Sequence, residues 1–366
     1  MSSSGKRIDR FFLYSTAAIT AAGFVIFLSA SLGLLSQTGA TFGSVAMKQA
    51  LSLLIGAAAF FFFSRIKYTL WRKTATLILI GAVCLNLLLF IPSLTLHYNG
   101  ASRWINFGLF SFQPSEFLKI AAIIYFAAWL QHSKDRIKSM KSGLLPYIGI
   151  MAILGTLLLV QRDTDTLVII AATGIVMFLV AGMPWRHFVL SLVILGAVVG
   201  GVIYFRPYAL ERVKVFLDPT ANTQGSGYQI NQSLIAIGSG GLFGRGFGQS
   251  IQKFGYLPQP TDDSIFAVAA EEFGFVGGVV LLALYCMFAG SAFRIGNRSS
   301  DVFGGMIAVG MAVLVIAESF LNIAAMLGLM PVSGVPLLFV SHGGTALIII
   351  LAAAGIVANV SKYAKN

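Results

Sequence analysis

The chain has 366 residues, of which 57% are hydrophobic and only 10% are charged, and its mean hydropathy is +0.86. A soluble domain would carry about a quarter charged residues to cover its surface. The composition therefore excludes a water-soluble fold and predicts a surface that faces hydrocarbon. The net charge of +12 would suit nucleic acid, but no soluble basic segment remains to bind it, so we expect no nucleic-acid partner. Cys84 and Cys286 each lie in an apolar run and are expected to be buried thiols.

Ten apolar segments are each long enough to cross a bilayer as a helix, which takes about 20 residues. They lie at residues 11–34, 46–64, 74–92, 114–131, 143–160, 165–182, 187–204, 265–293, 303–328 and 335–360. The second segment contains Lys48, and only a short polar stretch separates the fifth from the sixth. The sequence therefore predicts an all-α integral membrane protein with about ten transmembrane helices, in a single polytopic domain over residues 1–366.

The basic residues predict the orientation of these spans. If the N-terminus is cytoplasmic, the short cytoplasmic segments hold sixteen of the 25 Lys and Arg residues, whereas the outside segment 35–45 holds none. The positive-inside rule therefore places both termini in the cytoplasm. The sixteen residues are Lys6, Arg7, Arg10, Arg65, Lys67, Arg72, Lys73, Lys134, Arg136, Lys138, Lys141, Arg186, Arg294, Arg298, Lys362 and Lys365.

Two segments on the outside are long enough to contribute to a site. The longer, residues 205–264, lies between the seventh and eighth helices and contains a glycine-dense stretch at residues 238–248. The other, residues 93–113, contains Arg103. Long segments between helices of a compact protein are usually functional, so we expect a site on this side of the membrane.

Glu116 and Lys119 lie three residues apart at the start of the fourth span, so both project from one face of the helix. Ionisable residues inside a membrane are costly and usually face a cavity or a partner. The pair can be a neutralised pair that helps helices to pack, or the polar floor of a cavity open to the outside. The pattern alone leaves both interpretations open.

Further carboxylates lie at the outer ends of spans. Asp163 and Asp165 follow the fifth span and are compatible with an exposed polar turn. Asp263 lies just before the eighth span, where partial desolvation would raise the pKa of its carboxyl group and make it a better base. A helix cap is equally compatible with this position. Glu271 and Glu272 follow two turns later, and we expect one of them to face the cavity or to pair with a basic side chain.

These features fit a proton-coupled transporter or an enzyme that acts on a lipid-linked anionic substrate. Longer motifs narrow the choice. The segments GASRWINFGLFSFQPSEFLK (100–119), YQINQSLIAIGSGGLFGRGFGQSIQKFGYLPQPTDD (228–263), SIFAVAAEEFGFVGG (264–278) and GVPLLFVSHGGT (334–345) follow one another in the chain. In this order they resemble the SEDS family (shape, elongation, division and sporulation), which includes the FtsW, RodA and SpoVE proteins, and the resemblance covers nearly the whole chain.

The resemblance implies an inverting peptidoglycan glycosyltransferase. Such an enzyme polymerises lipid II, as donor and acceptor, at the outer face of the bacterial cytoplasmic membrane. It also implies a ten-helix bundle with a large extracytoplasmic loop between helices 7 and 8, and a class B penicillin-binding protein as partner. The strings ERVKVFLDP, GSGYQ, SIQKFGYLP and DSIFAV look more like the FtsW branch, which implies a place among the division proteins at the septum. A RodA-like elongation polymerase is the alternative within the family.

The family motifs carry over to particular residues. Asp263, rather than its neighbour Asp262, matches the family's essential aspartate, and we expect it to be the catalytic base. The resemblance implies substrate binding by Lys48, Arg103, Gln113, Ser115, Glu116, Lys119, Arg212, Gln229 and Ser341.

The chain departs from the family pattern between residues 161 and 166. It has QRDTDT where the family usually has QPDxGT, so Arg162 replaces a proline and Asp165 a glycine. The additional carboxylate beside Asp163 could alter the local charge or bind a cation. Gln259, Leu338 and His342 are further departures.

The hypothesis for the mechanism is that Asp263 takes the proton of an acceptor 4-hydroxyl while Arg103, Lys119 and Arg212 hold the departing diphosphate. A divalent cation such as Mg²⁺ or Mn²⁺ could share that task, although the sequence has no dedicated ligand spacing. Two alternatives from other classes remain: a lipid II flippase or other transporter, and a non-catalytic scaffold of the division machinery.

Overall fold

The computed structural model of the chain describes residues 7–33, 42–98, 101–106, 111–133, 136–218 and 225–365. Lys6, Lys134 and most of the segment 35–45, which were used to predict the orientation, lie outside these ranges. Within them the chain forms twelve α-helices and three short strands. The helices are α1 (Arg10–Ser31), α2 (Phe42–Arg65), α3 (Thr69–Leu87), α4 (Pro114–His132), α5 (Leu145–Val160), α6 (Thr164–Val180), α7 (Trp185–Phe205), α8 (Pro207–Leu217), α9 (Ser226–Ser239), α10 (Ile265–Arg298), α11 (Val302–Met326) and α12 (Gly344–Ser361).

Ten of these helices coincide with the ten predicted spans, and α8 and α9 lie in the long segment between the seventh and eighth spans. Eight of the described helices are long and apolar enough to cross a membrane. Of the other two, α6 is an apolar helix of 17 residues, and α4 carries Glu116 and Lys119 near its start. The predicted fold class, an all-α integral membrane protein with about ten transmembrane helices, is confirmed.

Four predicted span boundaries are wrong by five residues or more. The third helix covers Thr69–Leu87 rather than residues 74–92, the helix of the eighth span ends at Arg298 rather than at residue 293, and the last begins at Gly344 rather than at residue 335. The apolar run before Gly344 is irregular because it contains Pro336, which lacks a backbone N–H and disfavours the helical conformation of the residue before it. Most of the side chains in this run are nevertheless buried. The run is therefore as apolar as a membrane-spanning helix, and hydropathy alone predicts it to be part of one.

The segment between α3 and α4 forms a small antiparallel sheet. Its strands are β1 (Thr95–Tyr98), β2 (Ala101–Asn106) and β3 (Ser111–Phe112), in the order β1-β2-β3. Thr95 pairs with Ile105, which also pairs with Phe112. β3 leads into α4, whose first position is Pro114, a residue that suits the start of a helix. Arg103 therefore lies on the middle strand, which contacts α4.

The centre of the bundle is formed by α11 and α12, which are buried along most of their length, whereas α7 is mostly exposed. α2 packs closely along α12, because a Cβ atom on Gly355 would lie only 2.4 Å from the carbonyl oxygen of Phe60. Near the end of α12, the Asn359 side chain accepts a hydrogen bond from the Tyr68 N–H (2.9 Å) and donates one to the Ser64 carbonyl (2.7 Å). These bonds fix the turn between α2 and α3.

Both cysteine side chains are exposed and free, so the expectation of buried thiols is wrong. Cys84 lies on α3 and Cys286 on α10. Apolar runs in a membrane protein face lipid as well as the interior, because hydrocarbon is a suitable solvent for them. An apolar sequence context therefore does not predict burial here, as the exposed Tyr204 and Phe205 at the end of α7 also show.

α10 breaks at Gly274, and the glycine-dense segment after α9 packs against the break. Gly274 has φ 67° and ψ −165°, and a Cβ atom there would lie 2.3 Å from the Gly244 nitrogen. The Phe275 N–H donates to the Gly241 carbonyl (2.9 Å), and the Arg245 N–H donates to a carbonyl on the other side of the break (3.0 Å). Glycine is required because its backbone adopts positive φ without a Cβ clash.

Glu271 and Glu272 fix the next part of the same segment. The Glu271 carboxylate accepts a hydrogen bond from the Ser250 hydroxyl (2.5 Å) and lies 3.6 Å from the Arg245 Nε. Glu272 accepts a bond from the Nζ of Lys253 at 2.7 Å, and both side chains of this pair are fully buried. We expected one glutamate to face a cavity or to pair with a basic side chain, and the structure pairs both. They anchor the segment that ends at Asp263.

Candidate active site

Residues 259–264 form a tight turn immediately before α10. Gln259 adopts a left-handed backbone conformation with φ 48°, which is uncommon for a residue other than glycine. Its carbonyl oxygen accepts hydrogen bonds from the N–H groups of Asp262 (3.1 Å) and Ser264 (3.3 Å). The turn therefore presents Asp262 and Asp263 side by side at the end of the bundle where α10 begins.

Side chains from two other parts of the chain hold this turn in place. Asn322, on α11, donates hydrogen bonds from one nitrogen to the carbonyl of Asp263 (2.9 Å) and to that of Val335 (2.9 Å). The Ser341 hydroxyl donates to the carbonyl of Asp262 (2.7 Å). Asn322 is fully buried, so its two bonds join the turn rigidly to the irregular segment before α12.

The side chains of Asp263, Arg103 and Arg212 converge on Gly334. A Cβ atom on Gly334 would lie 3.6 Å from Arg103 Nη1, 3.9 Å from Arg212 Nη2 and 3.9 Å from Asp263 Oδ2. The two arginines come from β2 and α8, far from each other in the sequence. The fold therefore places one half-buried carboxylate and two guanidinium groups around a backbone position that carries no side chain.

Asp163 and Asp165 pair with the same two arginines. Asp165 Oδ2 lies 3.2 Å from Arg212 Nη1 and accepts a longer hydrogen bond from the Gly334 N–H (3.4 Å). Asp163 Oδ1 lies 4.0 Å from Arg103 Nη1, and the same carboxylate caps the start of α6. The reading of these carboxylates as an exposed polar turn does not fit Asp163, whose side chain is buried.

The environment of Asp263 raises the pKa of its carboxyl group to about 8. Burial is the largest cause because it disfavours the charged form, and the neighbouring carboxylates of Asp262 and Asp165 add to it. The guanidinium groups of Arg212 and Arg103 oppose the shift. Burial likewise raises the pKa of Asp262 to about 7. Asp263 is thus a carboxylate whose proton affinity is high for its type.

Glu116 and Lys119 form a buried ionic cluster with a third residue, Glu318 of α11. Lys119 Nζ lies 2.9 Å from Glu116 Oε1 and 2.6 Å from both oxygens of Glu318. All three side chains are almost completely inaccessible to solvent. We did not predict Glu318, although it is the one ionisable residue in the predicted span 303–328, and such a residue needs a partner.

The remaining predicted substrate-binding residues lie in different surroundings. Gln229, on α9, donates to the hydroxyl of Ser264 (3.0 Å), next to Asp263. Gln113 and Ser115 are buried at the start of α4 and bond to each other (3.1 Å). Lys48 is exposed on α2. The structure thus brings Arg103, Arg212, Gln229 and Ser341 to the turn that carries Asp263, and places Glu116 and Lys119 in a cluster of their own.

In the part of the chain that the structure describes, no group of three or more His, Cys, Asp or Glu side chains could hold a metal ion. Asp163 and Asp165 are instead paired with arginine. The divalent cation stays a prediction.

The fold and the site define a polytopic membrane protein in which a half-buried carboxylate and two guanidinium groups converge on one backbone position at one end of the helix bundle. The sequence model of the FtsW/RodA/SpoVE cell cycle proteins matches residues 9–366. The chain belongs to this family, so the membership indicated by the motifs is confirmed.

Relatives with curated names cover most of the chain. Stage V sporulation protein E of Bacillus subtilis is 40% identical over 321 residues, which are 87% of each protein. The "Probable peptidoglycan glycosyltransferase FtsW" of Trichlorobacter lovleyi is 37% identical over 353 residues, 96% of this chain and 93% of the relative.

Solved structures share the fold over nearly the full length. A chain from a peptidoglycan synthase complex that coordinates polymerization and crosslinking is 27% identical, with a TM-score of 0.80 and 97% of each chain covered. The rod shape determining protein RodA of Thermus thermophilus is 26% identical, with a TM-score of 0.71 and coverage of 97% of this chain and 96% of RodA. The ten-helix architecture is therefore that of this family.

Proposed function

We propose that this chain, a peptidoglycan glycosyltransferase, polymerises lipid II at the outer face of the cytoplasmic membrane, with Asp263 as the catalytic base. One observation carries the proposal: Asp263 and the two arginines, from three distant parts of the chain, converge on Gly334. Glycosyl transfer from a diphosphate needs a base for the acceptor and positive charge for the leaving group. The activity in the names of its full-length relatives supports this assignment.

In the proposed reaction, the 4-hydroxyl oxygen of one lipid II sugar attacks the anomeric carbon of another chain's sugar. The hydroxyl proton passes to an Asp263 oxygen as the new C–O bond forms. The bond from the anomeric carbon to the diphosphate breaks, and undecaprenyl diphosphate departs with the electron pair. Attack from the face opposite the leaving group inverts the anomeric centre. A pKa near 8 suits this role, because a base works best when its pKa lies near the operating pH.

The diphosphate is proposed to bind to Arg103 and Arg212. Guanidinium groups form paired hydrogen bonds with phosphate oxygens, and both lie within 4 Å of the Gly334 Cβ position. Lys119, the third cation in our initial hypothesis, already has carboxylate partners on two sides. We therefore propose that Lys119 and Glu116 maintain the helix ends around the site, while the arginines hold the leaving group.

The other predicted substrate-binding residues are proposed to fall into two groups: those that position Asp263 and those that contact the substrate. Gln229 and Ser341 position Asp263, because they bond to the residues on either side of it. Gln113, Ser115 and Lys48 are proposed to bind the sugar or diphosphate part of the substrate. The prenyl chains of the substrate would stay in the lipid bilayer. This explains why an enzyme that joins sugars is built from membrane-spanning helices.

At the level of the cell, we propose that the chain works in division with a class B penicillin-binding protein and other septal proteins. Both termini would be cytoplasmic, and residues 205–264 would be outside. The relatives named FtsW and the relative structure in a peptidoglycan synthase complex support this partner. Rescue of a division mutant tests the proposal, whereas rescue of only a rod-shape mutant would assign the chain to elongation.

The activity is tested with the purified chain, its penicillin-binding protein and labelled lipid II. The wild type should form glycan polymer, and Asp263→Asn should form none although it inserts and folds normally. Asp262→Asn is the matched control, because it removes a carboxylate from the neighbouring position and should retain polymerisation. Normal polymer from Asp263→Asn would remove the assignment of the base. Transbilayer movement of lipid II without any polymer from the wild type would identify a flippase instead.

A further inference from the structure

Asp165 lies at the site, and the proposed reaction gives it no role. It occupies the first turn of α6, where its Oδ2 lies 3.2 Å from Arg212 Nη1. The same oxygen accepts the Gly334 N–H at 3.4 Å. One carboxylate oxygen therefore lies between a guanidinium group and a backbone N–H, which is how proteins commonly hold a phosphate oxygen.

The two carboxylates of this region differ in what surrounds them. Asp163 is buried, caps α6 and lies at the longer distance of 4.0 Å from Arg103. The exposed fraction of the side chain is 18% for Asp165 and 30% for Arg212. A partly exposed ion pair is worth about 1 kcal/mol or less. The ion pair of Asp165 with Arg212 can therefore open at a small cost in free energy, whereas Asp163 stabilises the start of α6.

We propose that Asp165 is an internal competitor for the diphosphate: in the free enzyme its carboxylate occupies the position between Arg212 and the Gly334 N–H that a diphosphate oxygen takes when substrate binds. This inference rests on the proposed function. Substrate binding would then exchange one anion for another at Arg212. A diphosphate wins the exchange because it carries more charge and can bond to Arg103 as well, whose Nη1 lies 3.6 Å from the Gly334 Cβ position.

The exchange has two consequences. It keeps Arg212 aligned in the free enzyme, because the guanidinium has a partner before substrate arrives. It also weakens the binding of the substrate and of the prenyl diphosphate product, because each must displace the carboxylate. Asp165 is thus a positioning residue that sets the affinity for diphosphate, and it eases the release of the product after each addition.

The test measures the binding of inorganic pyrophosphate to the purified full-length chain in nanodiscs by calorimetry. Asp165→Asn should bind pyrophosphate about fivefold more tightly than the wild type, the factor that corresponds to about 1 kcal/mol. Asp165→Glu should stay near the wild type because it keeps the charge. In polymerisation assays, Asp165→Asn should lower KM for lipid II without raising kcat.

The matched control is Asp9→Asn. It removes an aspartate that pairs with an arginine, Arg294, at 2.9 Å, at the opposite end of α10, and it should leave pyrophosphate binding unchanged. Arg212→Gln in the Asp165→Asn background should cancel the gain, because the gain must come from the freed guanidinium. If Asp165→Asn does not fold, Asp165→Gly provides the same comparison.

Equal or weaker pyrophosphate binding in a folded Asp165→Asn or Asp165→Gly variant, including no binding to any form, overturns the proposal. A gain that persists without Arg212 overturns it too. These results are distinct from a failure of the proposed function, which would appear as an absence of glycan polymer from the wild type whatever the pyrophosphate affinity.

Discussion

Replacing Glu318 tests the ionic cluster that joins α4 to α11. Lys119 Nζ lies 2.6 Å from both Glu318 oxygens and 2.9 Å from one Glu116 oxygen, and no member of the cluster has significant exposure. Glu318→Ala would take away the two shorter contacts and leave a cavity. Each hydrogen bond to a charged group contributes about 1.5–3 kcal/mol, so we expect the loss of both bonds to lower the free energy of unfolding by about 3–6 kcal/mol.

Glu318→Gln provides the matched control. The cluster contains two carboxylates and one ammonium group, so a neutral amide at this position still leaves Lys119 one carboxylate partner, Glu116. The amide oxygen keeps the shape of the site and accepts a bond from Lys119. The expected cost is therefore about 1 kcal/mol, the value of an ordinary hydrogen bond.

Thermal unfolding of the three proteins in the same detergent gives the stability difference, and polymer formation from lipid II, measured well below each unfolding midpoint, gives the activity. The order of stability should be wild type, Glu318→Gln, then Glu318→Ala by a wide margin. Equal stability of Glu318→Ala and the wild type would refute the conclusion that this ionic cluster stabilises the fold. If Glu318→Ala or Glu116→Ala loses only stability and keeps activity, the cluster serves packing alone.

Two further predictions concern Asp263. Because the pKa of Asp263 is raised to about 8 and a base must be ionised, kcat/KM should rise with pH up to about this value. Asp262→Asn removes a like charge and should shift this rise to lower pH. A pH profile that is the same in this variant and the wild type would contradict the assignment of Asp263 as the base. Asn322→Leu leaves the carbonyls of Asp263 and Val335 without their donor, which costs about 1–3 kcal/mol. Its kcat should fall more than its stability accounts for, and full activity at wild-type stability would show that the bond does not position the base.

The helices were readable from the sequence because their cause is local. A run of about 20 apolar residues can satisfy its backbone in hydrocarbon only as a helix, so ten such runs predict ten helices. The exceptions have causes that hydropathy does not show. Pro336 keeps the run before α12 irregular, and Gly274 breaks α10 where the backbone of Gly244 packs against it.

The candidate site residues also came from the sequence, through motifs. These motifs indicated Asp263, Arg103 and Arg212, but not what each side chain contacts. Spacing reveals neighbours on one helix, such as Glu116 and Lys119, because residues three apart share a face. It does not reveal a partner 199 positions away, and that is the separation of Lys119 from Glu318.

The sequence by itself determined the membrane fold, the family and the carboxylate expected to act as base. Only the tertiary structure decided that Asp165 pairs with Arg212, and that Arg103 and Arg212 both lie close to the backbone of Gly334. The physical reason is that hydrophobic length acts within one segment, whereas an ionic contact depends on the packing of segments that are distant in the chain.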